Sequence, residues 1–118
     1  MARSVGTVPE ELAVISFATA EELWSWLDVH HATHPGIWVR LQKTRSGVPS
    51  VSFHDVLEAG IAFGWSESTR RGLDSTSYLQ KFTPRRSRGT TSARNLAIAD
   101  RLEAEGRMAP AGRRALGL

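Results

Sequence analysis

The residues whose chemistry stands out lie between Phe63 and Asn95. In FGWSESTRRGLDSTSYLQKFTPRR, Phe63 to Arg86, one of the four tryptophans and the only tyrosine accompany five of the fifteen Lys/Arg side chains. Arginine presents a planar fork of donors that matches carboxylate and phosphate oxygens, so guanidinium groups beside an aromatic wall suit an anionic ligand. Trp65 supplies the wall, while Arg85, Arg86 and Arg88 supply the charge, with Arg94 beside them. Ser92 to Asn95 open a predicted helix, whose first amides carry partial positive charge that favours an anion. Ser68 and Asp74 complete the candidate ligand-binding set: Trp65, Ser68, Asp74, Arg85, Arg86, Arg88, Ser92 and Asn95. A structural alternative stands beside it, in which Arg85 pairs with Asp74 or Glu58 and ties the hairpin to a helix. Trp65, Tyr78 and Phe82 can likewise serve as core instead of stacking on a ligand.

Other chemistries find less in the chain. Glu67 and Asp74 flank the expected turn and can be written as an acid/base pair. Ser66, Ser68, Ser75 and Ser77 lack an evident base, and no G-x-S-x-G, S-x-x-K, P-loop or G-x-G-x-x-G is present. His30, His31 and His34 form H-H-x-x-H, but Pro35 follows at once and no third ligand has suitable spacing, so no metal is assigned. A protonated histidine is favourable near a helix C-terminus in any case. His54 and Glu58 are an i,i+4 pair on a helix surface. With no cysteine, disulfides, thiolate metal sites and cysteine nucleophiles are excluded. No cofactor is called for.

A chain of 118 residues fits one domain able to bury roughly two-thirds of its unfolded surface. The net charge of +3 conceals an asymmetry. Through Ser68 there are four Lys/Arg against eight Asp/Glu, and from Thr69 onward eleven against four. A basic second half points to an anionic partner, whether a small phosphate-bearing molecule or nucleic acid bound without sequence preference. Helix-turn-helix, RNP and zinc-finger patterns are missing, which argues against sequence-specific reading. The first fifteen residues lack the apolar run of a signal peptide, and no window approaches the roughly 18 apolar residues of a membrane span. A cytoplasmic protein is the expectation.

The elements that must position these groups follow from local pattern. Residues 1–11 read as a loosely ordered lead-in, and Leu12 to Phe17 as a first strand. Thr19 and Glu22 form a capping box for a helix from Ala20 to His31, with Ala20, Leu23, Trp24 and Leu27 inward and Trp26 at the margin. Ile37 to Lys43 alternates as a strand, placing Trp38 on its wetter side. Ser52 and Asp55 cap a second helix whose stripe is Phe53, Val56, Leu57, Gly60 and Ile61; Gly60 permits close packing and Gly64 closes it. Two strands then flank a turn at Arg71-Gly72-Leu73-Asp74. Ser92 caps a third helix to Glu105, with Leu96, Ala99 and Leu102 inward and Gly106 as its stop. Residues 107–118 are a short tail with one helical turn begun at Pro110. Strands and helices without strict alternation predict an α+β fold: about three helices on a short antiparallel or mixed sheet.

The chain resembles the YdeI/OmpD-associated family of small bacterial proteins, the bacteriocin-protection type, over residues 18 to 112. The likeness rests on Trp26-Leu27 and His31, on Gly36, Trp38 and Lys43, and on Leu57-Glu58, Phe63-Gly64-Trp65, Ser68 and Leu73-Asp74. It continues through FTPRR (Phe82 to Arg86), Ser92, Asn95, Arg101-Leu102 and GRMAPAG (Gly106 to Gly112). Departures from the pattern are Ser66-Glu67-Ser68 after FGW, Ala62 for a common Cys, Thr91 for a tryptophan, and the lack of a C-terminal helical region. The resemblance implies a compact α+β domain linked to tolerance of bacteriocins or antimicrobial peptides, with no settled catalytic chemistry. Three functional readings follow. The first is a non-catalytic binding protein taking an anionic ligand at the Trp/Arg surface. The second is a general anion or nucleic-acid module, and the third a hydrolase using Glu67 and Asp74.

Overall fold

The computed structural model describes residues 12–86 and 92–118; the lead-in 1–11, and Arg88 with its neighbours in 87–91, lie outside the described residues. The elements in chain order are β1 (Ala13–Ser16), α1 (Ala20–His30), β2 (Ile37–Gln42), α2 (Phe53–Phe63), β3 (Trp65–Gly72), β4 (Ser77–Pro84), α3 (Ala93–Ala104) and α4 (Pro110–Ala115). They form an α+β domain on a four-stranded mixed sheet ordered β1-β2-β4-β3. β1 and β2 run parallel across α1, as a βαβ unit must; β2–β4 and β4–β3 are antiparallel.

Capping follows the side chains that the sequence offers. Ser52 accepts from the Asp55 amide at 3.1 Å while Asp55 accepts from the Ser52 amide at 2.9 Å, so the box at α2 is fully reciprocal. At α1 the Thr19 hydroxyl accepts from the Glu22 amide at 3.2 Å, but Glu22 reaches back to the Ala18 amide at 2.8 Å instead of that of Thr19. The box closes one residue early.

α2 is the hub, packing against α1, α3, α4 and β3. From Val56 on it is buried nearly all round, with Ala59, Ala62 and Phe63 joining the expected stripe. A helix apolar on every side belongs inside, and each fully buried aliphatic side chain contributes about 1.5–3 kcal/mol. Gly60 is required here. A Cβ would stand 2.8 Å from the Trp65 carbonyl oxygen and 2.9 Å from the Phe82 ring.

Glu58, the polar residue on α2 that remains largely covered, pairs with Arg101 and Arg107 and fastens α3 to α2. The inward residues of α3 are Ile98, Ala99 and Leu102; Leu96, expected inside, is 41% exposed. The stripe begins at half-buried Asn95, so the helix is rotated from the purely apolar count. The turn of the central hairpin is displaced as well. β3 continues through Arg71 and Gly72, and the reversal falls on residues 73–76.

The sheet buries one face against the helices. Ile37, Val39, Leu41, Phe82 and Trp65 share a core cluster with α1, α2 and α3. Trp38 and Leu79 are also buried, at 7% and 5% exposure, yet stand outside that cluster on the opposite face. Trp38 thus stands on the outer side of the strand, as expected, but its ring is covered there. Arg71 lies over its ring at 4.5 Å and Lys81 at 6.0 Å, and their stems cover the indole.

Candidate functional site

The chain reverses at Gly64. Its left-handed backbone, φ 80°, ends α2 and releases Trp65 into β3. The Trp65 ring then turns inward, 5.1 Å from Phe82 and 5.8 Å from Trp26, and its Nε1–H donates to the His31 carbonyl at 3.2 Å. It is 1% exposed. The ring fills the junction of sheet and helices, where its burial gains most, instead of projecting as an open stacking surface.

A cavity of about 330 Å³ nevertheless opens beside it, lined by His31, Ala32, Phe63, Gly64, Trp65, Pro84, Arg85, Ala111, Arg114 and Ala115. Three joints hold its walls. Trp65 pairs with Pro84 across the hairpin, and the Arg85 amide donates to the Gly64 carbonyl at 2.9 Å. α4 closes the third side: the Ala109 amide donates to the Ala62 carbonyl at 3.0 Å, and Gly112 and Leu116 are buried beneath it. Among the described residues, two guanidinium side chains, Arg85 and Arg114, line this cavity and no carboxylate does. The roomier hollows differ. One of about 540 Å³ between α1 and Arg107 has Glu21 as well as that cation in its lining, and one of about 420 Å³ around the residue 43–52 loop is lined by Lys43 as its charged residue among the described residues.

The expected site residues divide. Trp65 and Arg85 meet at the cavity, but Arg86 is exposed and does not line it. Ser68 sits in an irregular stretch of β3, exposed. The Ser92 hydroxyl accepts from the Asn95 amide at 3.1 Å and so caps α3, while the Asn95 side-chain Oδ1 accepts from Arg94 Nε at 3.2 Å. Arg114 and His31 complete the lining unannounced. The cue was Pro110 followed by Gly112, a helix start with a residue small enough to dock, in a segment read as a tail.

Asp74 lies past the far end of β3, roughly 23 Å of strand from Trp65. Its Oδ1 accepts from the Ser77 hydroxyl at 2.8 Å, the Thr76 amide at 2.9 Å and the Ser77 amide at 2.8 Å, and Oδ2 accepts from Arg40 at 3.2 Å. The carboxylate organises the turn. The Ser77 hydroxyl, then the Thr76 amide, hold its pKa down at about 2 against an ordinary 3.8. A group so depressed stabilises the fold above pH 3.8 and loses that contribution as pH falls toward 2. The melting temperature of the protein should therefore drop more steeply from pH 4 to pH 2 than that of Asp74→Asn, which should already be lowered at pH 7. Parallel slopes would show the carboxylate is not the cause.

Glu67 faces the helices opposite Phe82, several residues up the strand from Asp74. The two do not form a pair, and a carboxylate held ionised to about pH 2 is a poor proton donor near neutrality. The histidines serve the packing. His31 Nδ1–H donates to the Leu27 carbonyl at 2.8 Å, His34 Nδ1 accepts from the Gly36 amide at 3.1 Å, and His30 stacks on Trp26 at 4.7 Å. Among the described residues no three His, Asp or Glu side chains converge as a metal site, and no helix is long and apolar enough to cross a membrane.

Compared with known proteins, residues 15–115 match the family model described as Domain of unknown function (DUF8412). The chain belongs to this family. No curated protein and no solved structure matches it.

Proposed function

We propose that this is a non-catalytic binding protein that holds a small anionic ligand, a phosphate- or carboxylate-bearing molecule, in the cavity beside Trp65. The observation that carries the reading is the meeting of Arg85 and Arg114 in one hollow with no carboxylate among its described walls. Two guanidinium groups on an apolar floor gain most from an anion, because each hydrogen bond to a charged partner is worth about 1.5–3 kcal/mol. The rest of the reading draws on the YdeI/OmpD-associated likeness of FGW, FTPRR and GRMAPAG. Those motifs contribute Phe63, Trp65, Arg85 and Ala111 to the lining. By that likeness the protein acts in the cytoplasm, in tolerance of bacteriocins, antimicrobial peptides or envelope stress.

Thermal melts with inorganic phosphate, adenosine monophosphate and citrate test the binding. At least one should raise the melting temperature of the protein, and Arg85→Ala with Arg114→Ala should weaken its affinity at least tenfold. Arg45→Ala, on an exposed loop away from the cavity, should leave it unchanged. An undiminished response in the double variant would remove the cavity as the site.

A further inference from the structure

The face of the sheet turned away from the helices carries an arrangement that the cavity does not explain. Alternation along the strands places Arg40, Arg71 and Lys81 on this face, and none of the described outward strand positions is Asp or Glu. Arg40 and Arg71 flank Leu79 in one cross-strand row, and Lys81 lies two residues along β4 beside Trp38. With strands about 4.8 Å apart and about 6.7 Å per two residues, all three fall within roughly one Debye length. Asp74, from the turn, offsets Arg40 alone. Like charges gathered on neighbouring strands work against the sheet, so the grouping points to an anionic partner.

A bulge creates the arrangement. Between Glu67 and Arg70 the β3 register slips by one residue against β4, from Glu67↔Phe82 to Arg70↔Gln80. Strict alternation from Trp65 would point Arg71 toward the helices; the extra residue turns it outward and sets Arg70 inward, 4.5 Å over Tyr78. The slip is held by Gln80, 2% exposed, whose amide donates to the Thr69 carbonyl at 3.2 Å. The fold thus commits a buried polar side chain to keeping Arg71 over Trp38, at 4.5 Å from the ring centre. Arg71 itself stays exposed, a guanidinium backed by an indole on a sheet face with no described helix above it.

We propose that this face binds single-stranded nucleic acid, an unpaired base stacking on the Arg71 guanidinium while Lys81 and Arg40 meet flanking phosphates. Guanidinium planes and sheet platforms take unpaired bases because every base has a flat face, whatever its sequence. A duplex hides those faces, and among the described residues no helix or ribbon projects from this surface to enter a groove. An acidic peptide would use the charge but not the stack.

Fluorescence anisotropy separates these partners, using a twelve-residue oligothymidylate, its abasic counterpart, a duplex of equal length and polyglutamate, each from 50 to 200 mM salt. Two cations on phosphates predict a slope of log affinity against log salt of about −1.4, at about −0.7 per contact. Lys81→Gln should flatten it to about −0.7, at one remaining contact. The abasic strand should bind at least fivefold more weakly than the thymidylate, and Arg71→Lys, which keeps the charge without the plane, should erase that difference while leaving the slope. Arg85→Ala with Arg114→Ala should bind the oligonucleotide as the parent does, so this surface and the cavity stand or fall separately. Equal binding of abasic strand, duplex or polyglutamate overturns the proposal, as does a slope unmoved by Lys81→Gln or an oligonucleotide response lost in the cavity variant. Both sheet-face substitutions are conservative, and melting temperatures within a few degrees of the parent establish that the fold is intact.

Discussion

Trp65→Ala is expected to lower folding stability by about 3–5 kcal/mol, the usual cost of emptying a buried tryptophan site. Domains of this size have about 5–15 kcal/mol in all, so the variant should unfold at much lower urea, or fail to fold at 37 °C. The ring is 1% exposed and joins three parts of the molecule: Phe82 on β4, Trp26 on α1, and the carbonyl of His31 just past α1. Little can collapse into the space, since Gly60 already brings α2 against the Trp65 backbone. Trp65→Phe should cost less, about 1–3 kcal/mol, from the lost hydrogen bond to His31 and the smaller ring. Urea unfolding of both variants checks the order. A Trp65→Ala loss below about 1 kcal/mol would mean that the indole is not the keystone of this junction.

The same residue marks the boundary of what the sequence made legible. Caps and stripes were readable because they are local: Ser52 with Asp55, Thr19 with Glu22, and Leu23 with Leu27 each state their role within one or two turns. Gly64 and Pro110 marked their boundaries for the same reason. Trp65 was visible as important, but an FGW step does not say whether the ring goes in or out. That depends on Trp26 and Phe82 arriving from elsewhere in the chain. Arg71 was unreadable for a different reason. A period of two assigns faces only while the ladder is regular, and one extra residue between Glu67 and Arg70 inverts every assignment after it. At α3 the polar Asn95 occupies a position of the inward stripe, so an apolar count chose Leu96 and missed the rotation. The candidate cavity was half legible. Trp65 and Arg85 come from neighbouring motifs, whereas Arg114 reaches it only through the docking of α4, a contact that no periodicity announces.

That docking depends on the absence of a side chain at Gly112. A Cβ there would lie 2.2 Å from the Ala62 carbonyl oxygen and 2.5 Å from that of Ile61, both fixed in the last turn of α2. Both oxygens belong to the backbone of the helix that every other helix packs on, whereas α4 is a short terminal element, so in Gly112→Ala it is α4 that is expected to lift away. The loss is bounded by what α4 contributes: burial of Leu116, the bond from the Ala109 amide to Ala62, and the exposed pair of Arg113 with Glu103. These amount to about 2–4 kcal/mol, near the upper part of the usual overpacking range. The signature should be local. Amides of residues 109–118 should lose hydrogen-exchange protection, while β2 and β4 keep theirs up to the global limit. The anion response at the Trp65 cavity should disappear with them, because Ala111, Arg114 and Ala115 leave its wall. Loss of protection spread evenly over the sheet would show that α4 is part of the cooperative core. Retained protection in 109–118 would mean that the backbone of α2 yields after all, and that the fit at Gly112 does not set the position of the cavity wall.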